Sequence, residues 1–254
     1  MKAVHRSARL RRRVRQAGFT LVELMVSLVI TLIMLAAILA IYLNMKTTFT
    51  AQDDIAQLQD SERLALTMLT TSIELAGYFV NPLTSTATTA LPASTLTWPD
   101  GSTSSFVAGQ AVVGKGNGTG AGAASDAIAL QYQTNGGDGL MNCQGGTNTN
   151  PVGTTQVWVN SFSVDASNEL TCAIGAGTPV PLISNVSSMV VVYGVDTQGT
   201  GVTDAYLPAT AITAANLWPN VHTARITLSF LNSVPYANGT APPIVQTINL
   251  MNKP

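Results

Sequence analysis

Residues 18–43 read GFTLVELMVSLVITLIMLAAILAIYL, and the reading of this stretch decides the fold. The apolar run from Phe19 to Leu43 would measure roughly 37 Å as a helix, enough to cross a bilayer with some tilt. Its only charged side chain is Glu23. Ahead of it, Lys2, Arg6, Arg9, Arg11, Arg12, Arg13 and Arg15 place seven of the twelve Lys and Arg residues before Gly18. By the positive-inside rule such a leader keeps the amino end in the cytoplasm and sends the remainder across the membrane. An ordinary secretory signal fits poorly, because the run is too long and no small-residue cleavage site follows it. A generic signal anchor accounts for the hydropathy but not for Glu23. A carboxylate near the start of an apolar span costs up to about 3 kcal/mol to insert, which marks it as a functional residue that needs a cationic partner.

Beyond Leu43 the apolar character narrows to a stripe. Ile55, Leu58, Leu66, Leu69 and Ile73 approximate helical spacing, with Asp53, Asp54, Asp60, Glu62 and Arg63 between them. No Gly or Pro interrupts Phe19 to Ala76, so one helix is predicted over this length, with Gly77 as its stop and Asn81-Pro82 after it. Its second half should pack on a globular domain. The first half is apolar all round, has no core of its own chain to enter, and should pack against helices of neighbouring subunits.

After Pro82 the sequence turns to short β-like runs between linkers rich in Thr, Ser, Ala and Gly. Strands are predicted at Thr95 to Trp98, Ala127 to Gln133, Gln156 to Val164, Met189 to Tyr193, Val221 to Phe230 and Ile244 to Leu250. In the fifth of these, Ile226, Leu228 and Phe230 should face the core while Arg225, Thr227 and Ser229 face out. A helix followed by a mostly antiparallel sheet gives an α+β fold. At 46% hydrophobic and 10% charged residues the chain can bury a core, which excludes wholesale disorder. The formal charge of -1 hides an asymmetry: after Gly18 five basic residues face thirteen acidic ones, a charge of -8. A nucleic-acid-binding surface is not expected, since that requires clustered Lys and Arg.

Gly18-Phe19-Thr20-Leu21-Val22-Glu23-Leu24, behind a basic leader and ahead of an uninterrupted apolar helix, resembles the prepilin processing motif of type IV pilin-like proteins. The resemblance implies that a prepilin peptidase/N-methyltransferase cuts after Gly18 and methylates the new amine of Phe19. It also places Glu23 fifth in the mature chain, where the family carries a glutamate that neutralises the terminal amine of an adjacent subunit during assembly. A carboxylate and an ammonium in lipid are each costly alone and far less so when paired. Later passages resemble the PilW family of minor pilins: Ser125-Asp126-Ala127-Ile128, Cys143-Gln144-Gly145, Asn168-Glu169-Leu170-Thr171-Cys172, Val191-Val192-Tyr193-Gly194-Val195-Asp196 and the terminal strand pair.

The resemblance implies a type IV pilin-like fold with a basic leader (1–18), a transmembrane helical segment (19–43), an amphipathic periplasmic helix (44–77) and a β-rich head (78–254). It implies a minor pilin that co-assembles into a type IV pilus, primes assembly near the tip and supports adhesion, twitching motility or DNA uptake. The alternative is a J-type minor pseudopilin of a type II secretion pseudopilus; a membrane-anchored periplasmic enzyme or binding module is more remote. Expected partners are other minor and major pilins, the prepilin peptidase/N-methyltransferase, the inner-membrane assembly platform and inner-membrane lipid. Expected locations are the bacterial inner membrane, single-pass with the C-terminal domain in the periplasm, then the fibre at the cell surface.

Four further features bear on possible chemistry. Cys143 and Cys172 are the only cysteines, and in an exported domain they should form one disulfide; neither a closely spaced pair for redox work nor companion metal ligands accompany them. The run Asp196 to Asp204 is oxygen-rich, but it lacks the late bidentate Glu of a calcium loop and reads better as a Gly-rich turn between strands. The stretch Gly114 to Gly120, within a Gly-rich insert reaching Gly122, lacks the Lys-Ser/Thr ending of a phosphate loop and reads as a surface loop. His222 has no accompanying nucleophile or carboxylate motif. No catalytic residue, cofactor or metal is expected, and the chain is not read as an enzyme.

Overall fold

A computed structural model describes residues 18–116, 125–231 and 242–252. The leader residues Lys2 to Arg15 and positions 117–122 of the Gly-rich insert lie outside the described residues. The chain divides into two compact units, Met1–Gln52 and Asp53–Pro254, and helix α1 (Leu21–Leu75) contributes to both.

Within the first unit every residue from Gly18 to Thr50 is exposed, including the large apolar ones, with Phe19 at 80%. Such a helix has no partner within its own unit, and its length and composition suffice to cross a membrane. Its few hydroxyls carry their own acceptors. Ser27 Oγ donates to the Leu24 carbonyl at 2.9 Å and Thr31 Oγ1 to the Ser27 carbonyl at 2.7 Å, so neither needs water.

In the second unit α1 turns amphipathic. Ala65, Leu69 and Ile73 are fully buried, Ala76 follows them into the core, and Leu58, Leu66 and Met68 pack at its edge. The two alanines are absent from the predicted stripe. The helix stops at Gly77, which takes a φ of +81° and donates its N–H to the Gln131 carbonyl at 2.9 Å. A Cβ there would lie 2.3 Å from the Asn252 carbonyl oxygen, so the stop is also a close crossing with the chain's end.

The rest of this unit runs α2 (Ala87–Ala90), β1 (Ser94–Thr97), β2 (Thr103–Phe106), β3 (Val112–Lys115), β4 (Ala127–Asn135), β5 (Thr155–Val164), β6 (Glu169–Ile174), β7 (Val180–Ser184), β8 (Val186–Val195), β9 (Ala205–Pro208), α3 (Ala209–Ala215), β10 (Val221–Phe230) and β11 (Ile244–Asn249). A five-stranded sheet has the order β3-β4-β5-β6-β7, a four-stranded sheet β11-β10-β8-β9, and β1 pairs with β2. Each neighbouring pair is antiparallel. Both larger sheets share one core with the helix: Ile128, Leu130, Phe162 and Leu170 from the first, Met189, Val191, Tyr193, Ile226 and Leu228 from the second. The fold is therefore α+β, a long N-terminal helix with antiparallel sheets.

All six predicted strands are present, and β10 alternates as expected: Ile226, Leu228 and Phe230 buried, Arg225, Thr227 and Ser229 half-exposed. The sequence reading missed β2, β3, β6, β7 and β9. It also placed Gly114 and Lys115 in a surface loop, whereas both belong to β3, where Gly114 pairs with Ile128 and Lys115 with Ala127. The buried Val112 and Val113 hold this strand on the core, and the pairing carries it past the glycine.

Candidate processing and assembly site

The residues singled out at the N-terminus fall into one short segment. Gly18 and Phe19 are exposed and non-helical, two residues ahead of α1. Thr20 caps the helix: its Oγ1 accepts the Glu23 N–H at 3.3 Å and its carbonyl accepts the Leu24 N–H at 3.2 Å. Thr20 and Glu23 thus have the spacing of a capping box, which the sequence reading passed over although Thr-x-x-Glu before an apolar run is its signature. Glu23 lies in the first turn of α1, where the positive end of the helix dipole favours an anion.

The chain's own packing does not ask for a glycine at position 18. Its φ is not positive, and a Cβ placed there would meet nothing within 4 Å among the described residues. The exposed Gly18–Phe19 bond, the cap behind it and the carboxylate one turn into the helix form an arrangement a processing enzyme could read. An ammonium created at Phe19 would sit beside the like-charged end of the helix dipole, an unfavourable position that an adjacent carboxylate offsets.

In the second unit Cys143 and Cys172 form a disulfide over a sequence separation of 29. It ties the loop between β4 and β5 to β6, and Gln144 adds an Nε2 donation to the Cys172 carbonyl at 3.0 Å. The loop is otherwise held by short polar side chains. Asp138 Oδ1 accepts the Leu140 N–H, Asn142 Oδ1 accepts those of Gln144 and Gly146, and buried Asn148 donates to the Thr134 and Thr154 carbonyls. Breaking the disulfide with Cys143→Ser is expected to cost about 3.5 kcal/mol by the chain-entropy relation. For a domain of this size the melting temperature should fall by about 10 °C. Thermal melts of the oxidised head and the variant check this, and equal melting temperatures would show the bond to be energetically idle.

The Asp196 to Asp204 run is the loop between β8 and β9. Asp196 is buried against water, which raises its pKa, but the N–H groups of Gly201, Thr200, Gln198 and Gly199 outweigh this and hold the carboxyl below its ordinary value. Asp204 accepts the Thr197 N–H at 3.1 Å and its hydroxyl at 2.9 Å. Both carboxylates are thus engaged in shaping a strand-to-strand turn. His222 lies half-buried in β10, its carbonyl accepting the Leu250 N–H at 2.9 Å.

Two of the passages noted in the sequence have a physical role in joining elements. Asp126, 1% exposed, accepts the Val191 N–H at 2.9 Å and donates its own N–H to the Met189 carbonyl at 2.8 Å, while Ser125 Oγ accepts the Met189 N–H at 2.6 Å. The start of β4 is thereby stitched to the backbone of β8, one sheet to the other. Asn168 turns the chain from β5 into β6 at a φ of +60°, and its carbonyl accepts the Val186 N–H at 2.9 Å.

Residues 13–39 match the prokaryotic N-terminal methylation motif, a region that includes the cleavage candidate, the cap and Glu23. The exposed apolar helix and the antiparallel sheets have the plan of a pilin-like fold. Residues 146–247, from the disulfide-tied loop to β11, match the type IV pilus-assembly protein W family. Together the two matches are those of a PilW-type pilin-like protein, a class whose members interact with other pilus components. Comparison with curated proteins and with solved structures gave no match.

Proposed function

We propose that the chain is a minor pilin that enters a type IV pilus, primes its assembly near the tip and thereby supports adhesion, twitching motility or DNA uptake. In this reading prepilin peptidase/N-methyltransferase cuts between Gly18 and Phe19 and methylates Phe19. The mature helix waits in the inner membrane with the second unit in the periplasm, and Glu23 pairs with the terminal ammonium of a neighbouring subunit as the inner-membrane platform builds the fibre. Major and other minor pilins are its partners. The observation that carries the reading is the exposed Gly18–Phe19 bond directly ahead of a Thr20-capped apolar helix with Glu23 in its first turn.

Mass spectrometry of sheared fibres tests it. A peptide of this chain beginning at methylated Phe19 is expected, at a small fraction of the major subunit. Fibres rich in the major subunit and devoid of this chain, from cells that hold it in the membrane, would remove the proposal.

A further inference from the structure

The register of the four-stranded sheet defines an outer face opposite the core. Arg225 sits at its centre, flanked by Val192 on β8 and Thr247 on β11, with Thr227 between Val190 and Val245 in the next row. None of the outward positions on these four strands is acidic, in a chain with thirteen acidic residues. Tyr206 on β9 lies 41% exposed and Val245 54% exposed on this face.

The guanidinium of Arg225 is held in place but not neutralised. Its Cζ stands 4.5 Å from the centroid of the Tyr206 ring. Gly194, paired with Tyr206, keeps the strand beneath low, since a Cβ there would lie 2.1 Å from Thr223 Oγ1 and 3.3 Å from the ring itself. Among the described residues the one ion pair is Lys115 with Asp100, and Arg225 has no carboxylate within reach. A stacked, oriented guanidinium with free N–H groups, surrounded by β-branched side chains, is built to receive a planar anion in two parallel hydrogen bonds. Tyr and Arg are also residue types enriched at the centre of protein interfaces.

We infer that this face docks a carboxylate-bearing surface of another pilus subunit, with Asp or Glu of the partner on Arg225 and its apolar neighbours on Val190, Val192 and Val245. A single cation in so acidic a chain does not suit a phosphate backbone or an anionic lipid surface, which need clustered charge. The inference rests on the pilin-like reading and adds the face and the chemistry of the contact.

The test uses the full chain in piliated cells, with a benzophenone photocrosslinker at Val245 and, as control, at the exposed Thr95 of β1. A Val245 adduct with a protein bearing a prepilin motif is expected, its crosslinked peptide containing Asp or Glu. Arg225→Glu should reduce that adduct about tenfold or more, the loss of a charge-assisted hydrogen bond. Arg225→Gln, which preserves size, should do nearly as much and decides the matter if the charge reversal misfolds, while Arg225→Lys should retain part of the yield. An adduct insensitive to Arg225→Gln, one equally strong from Thr95, one to lipid, or none would overturn the inference. Loss of the chain from sheared fibres in the parent would instead strike the pilin reading itself.

Discussion

Glu23→Ala is expected to fold, insert and be processed as the parent is, yet to fall about 100-fold in its incorporation into sheared fibres. Insertion should not suffer, because the change removes a charge that costs up to about 3 kcal/mol to place in the span. Head stability should not change either, since Glu23 belongs to the first unit and the buried core lies in the second. What disappears is the counter-charge for a neighbour's terminal ammonium, and leaving a buried ion unpaired costs about 3 kcal/mol or more. The capping spacing of Thr20 and Glu23 offers a competing role, and Glu23→Gln separates the two. Glutamine serves as well as glutamate in a capping box but carries no charge. Failure of Glu23→Gln to the same extent as Glu23→Ala assigns the effect to the ion pair; normal incorporation of the glutamine variant would assign it to the helix start and end the docking proposal.

Gly18→Leu should leave the leader attached to essentially all of the protein, with membrane level unchanged because the apolar span is intact. The expectation has unusual reach because the site is structurally permissive: no atom of the described chain approaches the position a Cβ would take, and the backbone is not in the left-handed region. Nothing among the described residues opposes the larger side chain, so a processing defect points to a reader outside the molecule. Intact mass measurement of the membrane-extracted protein decides it. A normal mature N-terminus at Phe19 in Gly18→Leu would show that the glycine is not what the peptidase reads.

The long N-terminal helix was the most legible part of the sequence, because an apolar run free of Gly and Pro is a signal of composition that tertiary context hardly alters. The strong strands were legible for a related reason: β10 shows strict alternation, and β4 is apolar enough to be a strand buried on both faces. The missed strands have no such signal of their own. β2 is Thr-Ser-Ser-Phe, and β7 carries Pro181 on an edge; each is a strand only because a neighbour offers it a ladder. Ala65 and Ala76 were passed over because small residues add little to a hydrophobic pattern, although both are fully buried in the core. Thr20 was the one readable element of the segment from Gly18 to Glu23 that the sequence pattern left unread. Arg225 was correctly placed outward by alternation, but its stacking on Tyr206 depends on a β8–β9 hairpin that was not predicted.

The disulfide between Cys143 and Cys172 has a consequence for timing. Thiols stay reduced in the cytosol, so on the proposed topology the β4–β5 loop is fastened to β6 only after translocation. Before that moment the head lacks one of its restraints and is easier to keep unfolded for passage through the membrane; afterwards the bond locks in a form suited to a surface without chaperones. Oxidation would then act as a one-way latch, separating subunits still in transit from those fit to be built into a fibre.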